Sequence, residues 1–397
     1  MTIRTTHVGS LPRTPELLKA NAAHREGSLS DADFTSVLQA EVDGVVKRQA
    51  EIGLDIVNDG EYGHAMLDTV DYGAWWTYSF SRFGGLSFEN SGGFELRPPA
   101  GRDGRLAFSS FAERRDWQRF ADAYGDPESG IQIVSDNKVV FPAIVDELTY
   151  IGAEAVERDI AGVKHALEAV GKPVSDGFVA AISPGSAARV ANAFYEDDEA
   201  VVWACADVLR EEYKRITDAG LTVQIDAPDI AEGWDQMNPE PSVEDYRAFS
   251  RVRIDALNHA LEGIDPSLVR FHVCWGSWHG PHTTDIAFKD IVDLALLVNA
   301  NGLTFEAANA RHAHEWTIWR DTPLPEGKYL IPGVVSHSTN VVEHPELVAQ
   351  RIRQFADIVG DERVVASTDC GLGGRIYPSI AWAKLEALAQ GARLASK

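Results

Sequence analysis

Residues 269–274, VRFHVC, form a short, mostly apolar run that ends in two residue types able to bind a metal. Side chains at alternate positions of a β-strand point to the same face, so a strand here places His272 and Cys274 side by side. Further polar residues of this kind follow at intervals of a little over thirty residues, about one strand–helix unit: Glu306, His337 and Cys370. The segment therefore indicates one strand of a repeating strand–helix architecture.

Outward from this segment, short β-branched runs alternate with amphipathic helical patterns. The candidate strands are 3–8, 54–58, 178–182, 221–226, 269–274, 303–306, 329–334 and 363–368. Helical patterns occupy 31–53, 198–220, 345–360 and 381–396. Gly53, Gly220 and Gly360 fall where helices would end. Eight strands that alternate with helices are typical of a closed parallel barrel or of a doubly wound sheet.

The positions of the polar residues favour the barrel. Nearly every candidate strand ends on or near one: Ser10, Glu61, Asp226, His272, Cys274, Glu306, His337 and Cys370. A closed barrel gathers the carboxyl ends of all its strands at one rim, whereas a single open sheet has no reason to bring them together. We therefore predict an α/β fold, a (β/α)8 TIM barrel that spans 1–397 as a single domain.

One region interrupts this rhythm. The stretch from about 62 to 141 is rich in aromatic residues and glycine, and it is too long for a strand–helix loop. We predict an inserted excursion between the second and third strands. It either covers one side of the barrel mouth or is a peripheral or oligomerisation element, and the sequence favours neither.

The bulk composition narrows the classes of partner. The net charge is −24, which opposes binding to nucleic acid and to anionic membranes. The sequence has no apolar run of about 18 residues, and its N-terminus lacks a signal-peptide pattern. We therefore expect a cytoplasmic protein whose partners are small molecules. Three cysteines, Cys205, Cys274 and Cys370, do not suggest a disulfide framework.

The candidate metal ligands are His272, Cys274, Glu306 and Cys370. Two sulfurs and one nitrogen select zinc over calcium or magnesium. Zinc with thiolate ligands can accept a substrate sulfur and deprotonate it, and only a thiolate is a good nucleophile. A displaceable oxygen ligand such as Glu306 would open a position for that sulfur. The alternatives are water activation for hydrolysis, a closed structural zinc site, or unrelated buried residues.

Seven motifs, in order, resemble the catalytic half of cobalamin-independent methionine synthase. They are THVGSLPR, GLDIVNDGE, QIDAPDIAEG, HVCWGS, TFEAAN, IPGVVSHSTN and STDCGLGGR. The resemblance covers nearly the whole chain outside the excursion, and it implies a (β/α)8 barrel. It also implies zinc on the same four residues and a proton-donating role for His337.

The resemblance further implies substrate contacts. The residues that hold the amino and carboxylate groups of homocysteine fall on Val8, Gly9, Ser10, Glu61 and Asp226, and a folate-contacting acid falls on Glu232. The motifs depart from the family on the folate side. A family Arg-Cys folate contact falls on Phe94 and Glu95, and we expect no counterpart of the half that helps bind the polyglutamate tail.

We therefore predict a zinc-dependent transferase that activates a thiol, with methyl transfer to homocysteine as the expected reaction. Single-barrel relatives give an alternative, zinc-dependent addition of a thiol to an epoxide, as in epoxyalkane:coenzyme M transferase. Ser10, Glu61 and Asp226 favour an amino-acid thiol, because carboxylates near a sulfonate are unfavourable. A metal or ligand carrier without activity is the third hypothesis. The alkyl donor (folate, methylcobamide, epoxide or other) and the oligomeric state stay open.

Overall fold

The structure, a computed structural model, describes residues 2–66, 74–89, 106–131 and 141–396. The strands in these residues are β1 (Arg4–Thr5), β2 (Phe83–Ser87), β3 (Ala143–Tyr150), β4 (Phe178–Ile182), β5 (Ala191–Asn192), β6 (Thr222–Asp226), β7 (Val269–Val273), β8 (Gly302–Phe305), β9 (Tyr329–Val335) and β10 (Val365–Thr368). The α-helices are α1 (Pro15–Arg25), α2 (Asp31–Ile52), α3 (Ala74–Phe80), α4 (Arg115–Arg119), α5 (Ala121–Gly125), α6 (Ala153–Ala169), α7 (Pro184–Ala187), α8 (Asp198–Asp218), α9 (Val243–Ala260), α10 (Val292–Ala295), α11 (Pro345–Val359) and α12 (Pro378–Ala395).

Seven strands form one parallel sheet in the order β1-β10-β9-β8-β7-β6-β4. Every residue of β4, β7, β8 and β10 is buried, as expected for strands covered on both faces. The register places Asp226 at the end of β6 beside His272 of β7. The α/β class and the parallel strand–helix order predicted from the sequence are confirmed.

The predicted second strand, 54–58, is not a regular strand. It makes a single parallel bridge, between Val57 and Gly177, next to the edge strand β4. On its other side the Ile56 N–H donates to the Thr5 carbonyl at 3.0 Å, next to the edge strand β1. The Asp55 carboxylate takes the Thr5 N–H at 2.8 Å, so a side chain replaces a ladder bond there. Residues 54–58 thus lie between the two edges of the sheet, consistent with a TIM-like barrel.

Most of the predicted helices are present where the periodicity placed them. α2 begins after Ser30, whose side chain accepts from the Asp33 N–H, and it ends at Gly53 with φ of 94°. α11 ends at Gly360 with φ of 97°. Left-handed backbone is unfavourable for residues with a Cβ, which is why glycine stands at these two ends.

The predicted excursion contributes β2 to a separate small sheet, whose other strands, β3 and β5, lie after residue 141. β2 pairs with β3 in antiparallel fashion, and β3 pairs with β5 in parallel. α3, α4 and α5 also lie in this stretch. Residues 67–73, 90–105 and 132–140 lie outside the described residues, and so do Phe94 and Glu95, the positions of the expected folate contact. Among the helices of the described ranges, none has the length and apolar character needed to cross a membrane.

Candidate metal and thiol site

Three of the four predicted metal ligands converge at the carboxyl ends of β7 and β10. His272 lies in β7, Cys274 directly follows it, and Cys370 stands two residues after β10. A ligand atom from each of the three lies within 4.8 Å of the others. The two sulfurs are 3.7 Å apart. Residues separated by almost one hundred positions are therefore brought into one cluster, as the strand-end argument predicted.

The cluster fits zinc in two respects. Two sulfurs bound to a tetrahedral zinc at about 2.3 Å each lie roughly 3.8 Å apart, close to the 3.7 Å between Cys274 and Cys370. The His272 side chain is only 2% exposed, and neither of its ring nitrogens has a hydrogen-bond partner among the described residues. A buried polar atom without a partner is costly, and a bound cation would satisfy it.

The hydrogen bond between the two thiols shifts their pKa values in opposite directions. The hydrogen bond with Cys274, together with His272, holds the pKa of Cys370 well below its usual range, although burial acts the other way. The same hydrogen bond and burial raise the pKa of Cys274. The Gly276 N–H donates to the Cys274 sulfur at 3.1 Å. Cys370 is thus the thiol that is readier to deprotonate.

Glu306, the fourth predicted ligand, groups with different residues. Its carboxylate lies within 4.8 Å of His337 and Asp369 rather than in the three-residue cluster. The Trp275 N–H donates to its Oε1 at 2.9 Å, and Asn309 Nδ2 donates to its Oε2 at 2.5 Å. Each oxygen accepts one hydrogen bond and keeps a second lone pair with which it could bind a metal.

His337 stands beside the cluster in a buried position. Its side chain is 1% exposed, and neither ring nitrogen has a partner among the described residues. Asp369 lies next to it, with its Oδ1 accepting the N–H groups of Ala307 and Ala308 at 2.7 and 2.8 Å. An imidazole without a fixed partner can exchange a proton with a bound molecule.

The predicted substrate-binding acid Asp226 interacts electrostatically with Cys370 and with Glu61, a second predicted acid. Burial, and after it the charges of Glu61 and Cys370, raise the pKa of Asp226 to about 7, against the opposing effect of His272. Glu61 has a φ of 58°, in the left-handed region that a residue with a side chain rarely adopts. A Cβ at Gly9 would lie 2.3 Å from Glu61 Oε1. Glycine at position 9 therefore leaves the space that this carboxylate occupies.

The amides predicted to hold a carboxylate already have partners. The Val8 N–H donates to Thr368 Oγ1 at 3.3 Å, and the Gly9 N–H donates to His7 Nδ1 at 3.2 Å. The Ser10 hydroxyl accepts from Arg13 Nη1 at 2.9 Å. Carboxylate binding at these three residues stays a prediction, with the Ser10 hydroxyl as its best-placed group.

Glu232, the predicted folate contact, is held by two buried arginines that the sequence analysis did not select. Arg114 Nη2 donates to Glu232 Oε1, and Arg189 Nη1 donates to Oε2 at 2.9 Å. Both guanidinium groups also lie over aromatic rings, among them Phe111 and Trp278. Burial lowers the pKa of Arg189 to about 9. The SPGSAAR motif after β4 ends in Arg189, but no periodic signal pointed to Arg114.

The model of the family described as the catalytic domain of cobalamin-independent synthase matches residues 3–74 and 128–393. The chain belongs to this family. The resemblance seen in the motifs is therefore confirmed, while residues 75–127, which include Arg114, lie outside the match.

Relatives and solved structures agree with this assignment. The 5-methyltetrahydropteroyltriglutamate–homocysteine methyltransferases of Pasteurella multocida and Nitrosomonas europaea are each 24% identical to the chain, over 94% of its length. The chain spans 41% and 40% of those two proteins. A B12-independent methionine synthase from Shewanella sp. W3-18-1, solved with selenomethionine, is 17% identical, with a TM-score of 0.69 over 99% of this chain and 98% of that one. At this identity the likeness shows the fold.

Proposed function

We propose that this chain is a zinc-dependent transferase that methylates a thiol, with homocysteine as the acceptor and methionine as the product. The observation that carries the proposal is the buried His272–Cys274–Cys370 cluster, with its 3.7 Å sulfur spacing and unpartnered imidazole. Membership of the cobalamin-independent synthase family supports the reaction class. We also propose that the sheet closes as a (β/α)8 barrel, in which residues 54–58 take the place of the eighth strand.

His272, Cys274 and Cys370 would hold the metal, and Glu306 would bind it only when no substrate sulfur is present. Zinc would supply a positive charge that keeps the acceptor sulfur deprotonated at neutral pH. Each thiolate ligand donates charge to the metal and makes it a weaker Lewis acid. This donor set therefore suits thiol activation better than water activation.

The acids orient the acceptor. Asp226 interacts electrostatically with Cys370 and with Glu61, and these two carboxylates would bind the ammonium group of an amino-acid thiol. The Ser10 hydroxyl would donate to its carboxylate. The sulfonate of a sulfonate thiol would instead be repelled by the same two carboxylates. This repulsion disfavours the epoxide reaction of coenzyme M transferases.

His337 would manage the leaving group. As the acceptor sulfur forms its bond to the methyl carbon, the bond between that carbon and the donor breaks and the donor keeps the electron pair. The His337 imidazole, buried beside the cluster, would protonate that leaving atom. Glu232, the residue predicted to contact a folate donor, already pairs with Arg114 and Arg189.

A panel of thiols with a panel of methyl donors tests the proposal. We expect methionine to form from homocysteine only in the zinc-loaded protein, and X-ray absorption at the zinc edge to change when homocysteine is added. Turnover that survives complete zinc removal would contradict the proposal. Thiol-dependent loss of an epoxide without formation of methionine would favour the alternative transferase. Tightly bound zinc whose X-ray absorption edge does not change with any thiol would favour a carrier.

A further inference from the structure

A second cluster of buried charged groups is formed by the loops that follow β7 and β8. It consists of two histidines, two carboxylates and two tryptophans: His282, His312, Asp285, Glu315, Trp275 and Trp278. The steps proposed above use none of these side chains. The cluster lies next to the chain segments that carry Cys274 and Glu306, so its role bears on the metal ligands.

His312 stands at the centre of this cluster between two carboxylates. Its Nδ1 is 2.8 Å from Glu315 Oε2, and its Nε2 is 3.0 Å from Asp285 Oδ2. An ionised carboxylate can only accept, so both ring nitrogens must donate, and only an imidazolium has two ring N–H groups. Burial alone would lower the pKa of His312, but the bonds to Asp285 and Glu315 raise it to about 10.

Two arms connect His312 to the carboxylate of Glu306. In the first, the His312 ring stacks on Trp275 with centroids 4.0 Å apart, and the Trp275 N–H donates to Glu306 Oε1 at 2.9 Å. In the second, the backbone N–H of His312 donates to Asn309 Oδ1 at 2.9 Å, and Asn309 Nδ2 donates to Glu306 Oε2 at 2.5 Å. The ring of His312 thus supports the partner of one Glu306 oxygen, and the backbone of the same residue supports the partner of the other.

Asp285, one of the two carboxylates that contact His312, also contacts a second histidine in the loop after β7. His282 Nδ1 lies 3.3 Å from Asp285 Oδ2, and the His282 ring stacks on Trp278 with centroids 4.3 Å apart. His282 has a φ of 54°, a backbone conformation that the surrounding contacts must maintain. Asp285 therefore joins two histidine–tryptophan pairs, one within the loop after β7 and one between the two loops.

We propose that His312 is a positioning residue, whose imidazolium between Asp285 and Glu315 sets the distance between the loop bearing Cys274 and the loop bearing Glu306. Its charge is balanced by these two carboxylates, with Glu306 and His282 as the other charged or titratable groups nearby. The inference rests on the metal site of the proposed function. It adds a group that touches neither metal nor substrate but determines whether Glu306 can reach and leave the metal.

The matched test compares His312→Gln with His314→Gln, because His314 lies two residues away and is exposed. Zinc affinity is measured by competition with a chromophoric chelator, and ligand geometry by the absorption spectrum of the protein loaded with Co²⁺. We expect His312→Gln to bind zinc about tenfold more weakly, within the range for residues that orient metal ligands, and to shift the Co²⁺ bands. His314→Gln should leave both unchanged.

The imidazolium is tested in the unaltered chain, so the proposal does not depend on the variant folding. In protein labelled with 15N-histidine, NMR should show one ring that keeps both N–H protons from pH 6 to pH 8. A neutral ring at this position would overturn the proposal, and so would a folded His312→Gln protein with unchanged zinc affinity and Co²⁺ spectrum. If the unaltered chain binds no zinc, the proposed function fails instead, whatever NMR reports for His312.

Discussion

The two sides of the candidate site are made from different kinds of chain. On the side of β7 and β10, the reactive groups stand at strand ends and reach one another directly, as His272, Cys274 and Cys370 do. On the side of Glu232, one contact comes from Arg189 after β4, and the other comes from Arg114, in a segment outside the family match. The side of β7 and β10 thus lies within the family match, whereas part of the Glu232 side lies outside it.

We expect the largest effect from the loss of a sulfur on the side of β7 and β10. Cys370→Ser should weaken zinc binding by at least about 100-fold, because a thiolate is replaced by a neutral hydroxyl in a four-ligand site. Zinc content after dialysis is the measurement. Cys205→Ala is the matched control, since Cys205 is buried in α8, and it should retain zinc. Equal zinc content in both variants would remove Cys370 from the site.

Arg114→Met should separate the two sides. It leaves Glu232 with Arg189 as its buried cation, and breaking a buried ion pair costs about 3–5 kcal/mol in the free energy of unfolding. Zinc affinity and the KM for the thiol should be unchanged, whereas the KM for the donor should change. Arg115→Met is the control, because Arg115 pairs with the exposed Glu240. A changed thiol KM would mean that the two sides are not separate.

Gly9→Ala should act on the acceptor side without removing a metal ligand. The new Cβ would lie 2.3 Å from Glu61 Oε1, so this carboxylate must move. Losing a charge-assisted hydrogen bond to the ammonium costs about 1.5–3 kcal/mol, or roughly 10–100-fold in the KM for homocysteine. Gly27→Ala shares the positive φ but has open space around the new Cβ. It should lower stability alone, and an equal KM rise in both variants would refute the role given to Glu61.

The comparison also explains what could be predicted from the sequence. Strand side chains alternate and parallel strands end at one rim, so His272, Cys274 and Cys370 could be assembled from spacing alone. Residues 54–58 were predicted as a full strand because side-chain competition from Asp55 leaves no periodic signal. Arg114 could not be found, because its position depends on a non-periodic segment whose contacts with Glu232 are purely tertiary. His312 could not be singled out either, because its contacts with Asp285 and Glu315 are tertiary or local side-chain contacts without a spacing signal.

We expect the smallest effect from His312, whose contribution to the free energy of unfolding should depend on pH. The pKa of His312 is raised from 6.5 to about 10 in the folded chain, so its stabilising contribution is complete below about pH 6.5 and is lost as the pH rises through about 10. The free energy of unfolding should therefore be about 1–3 kcal/mol lower for His312→Gln than for the unaltered chain at pH 6. This difference should shrink steadily up to pH 10 in urea titrations. A difference that is constant across this range would mean that His312 acts by packing against Trp275 and not by its charge, and the two loops would then be joined by shape alone.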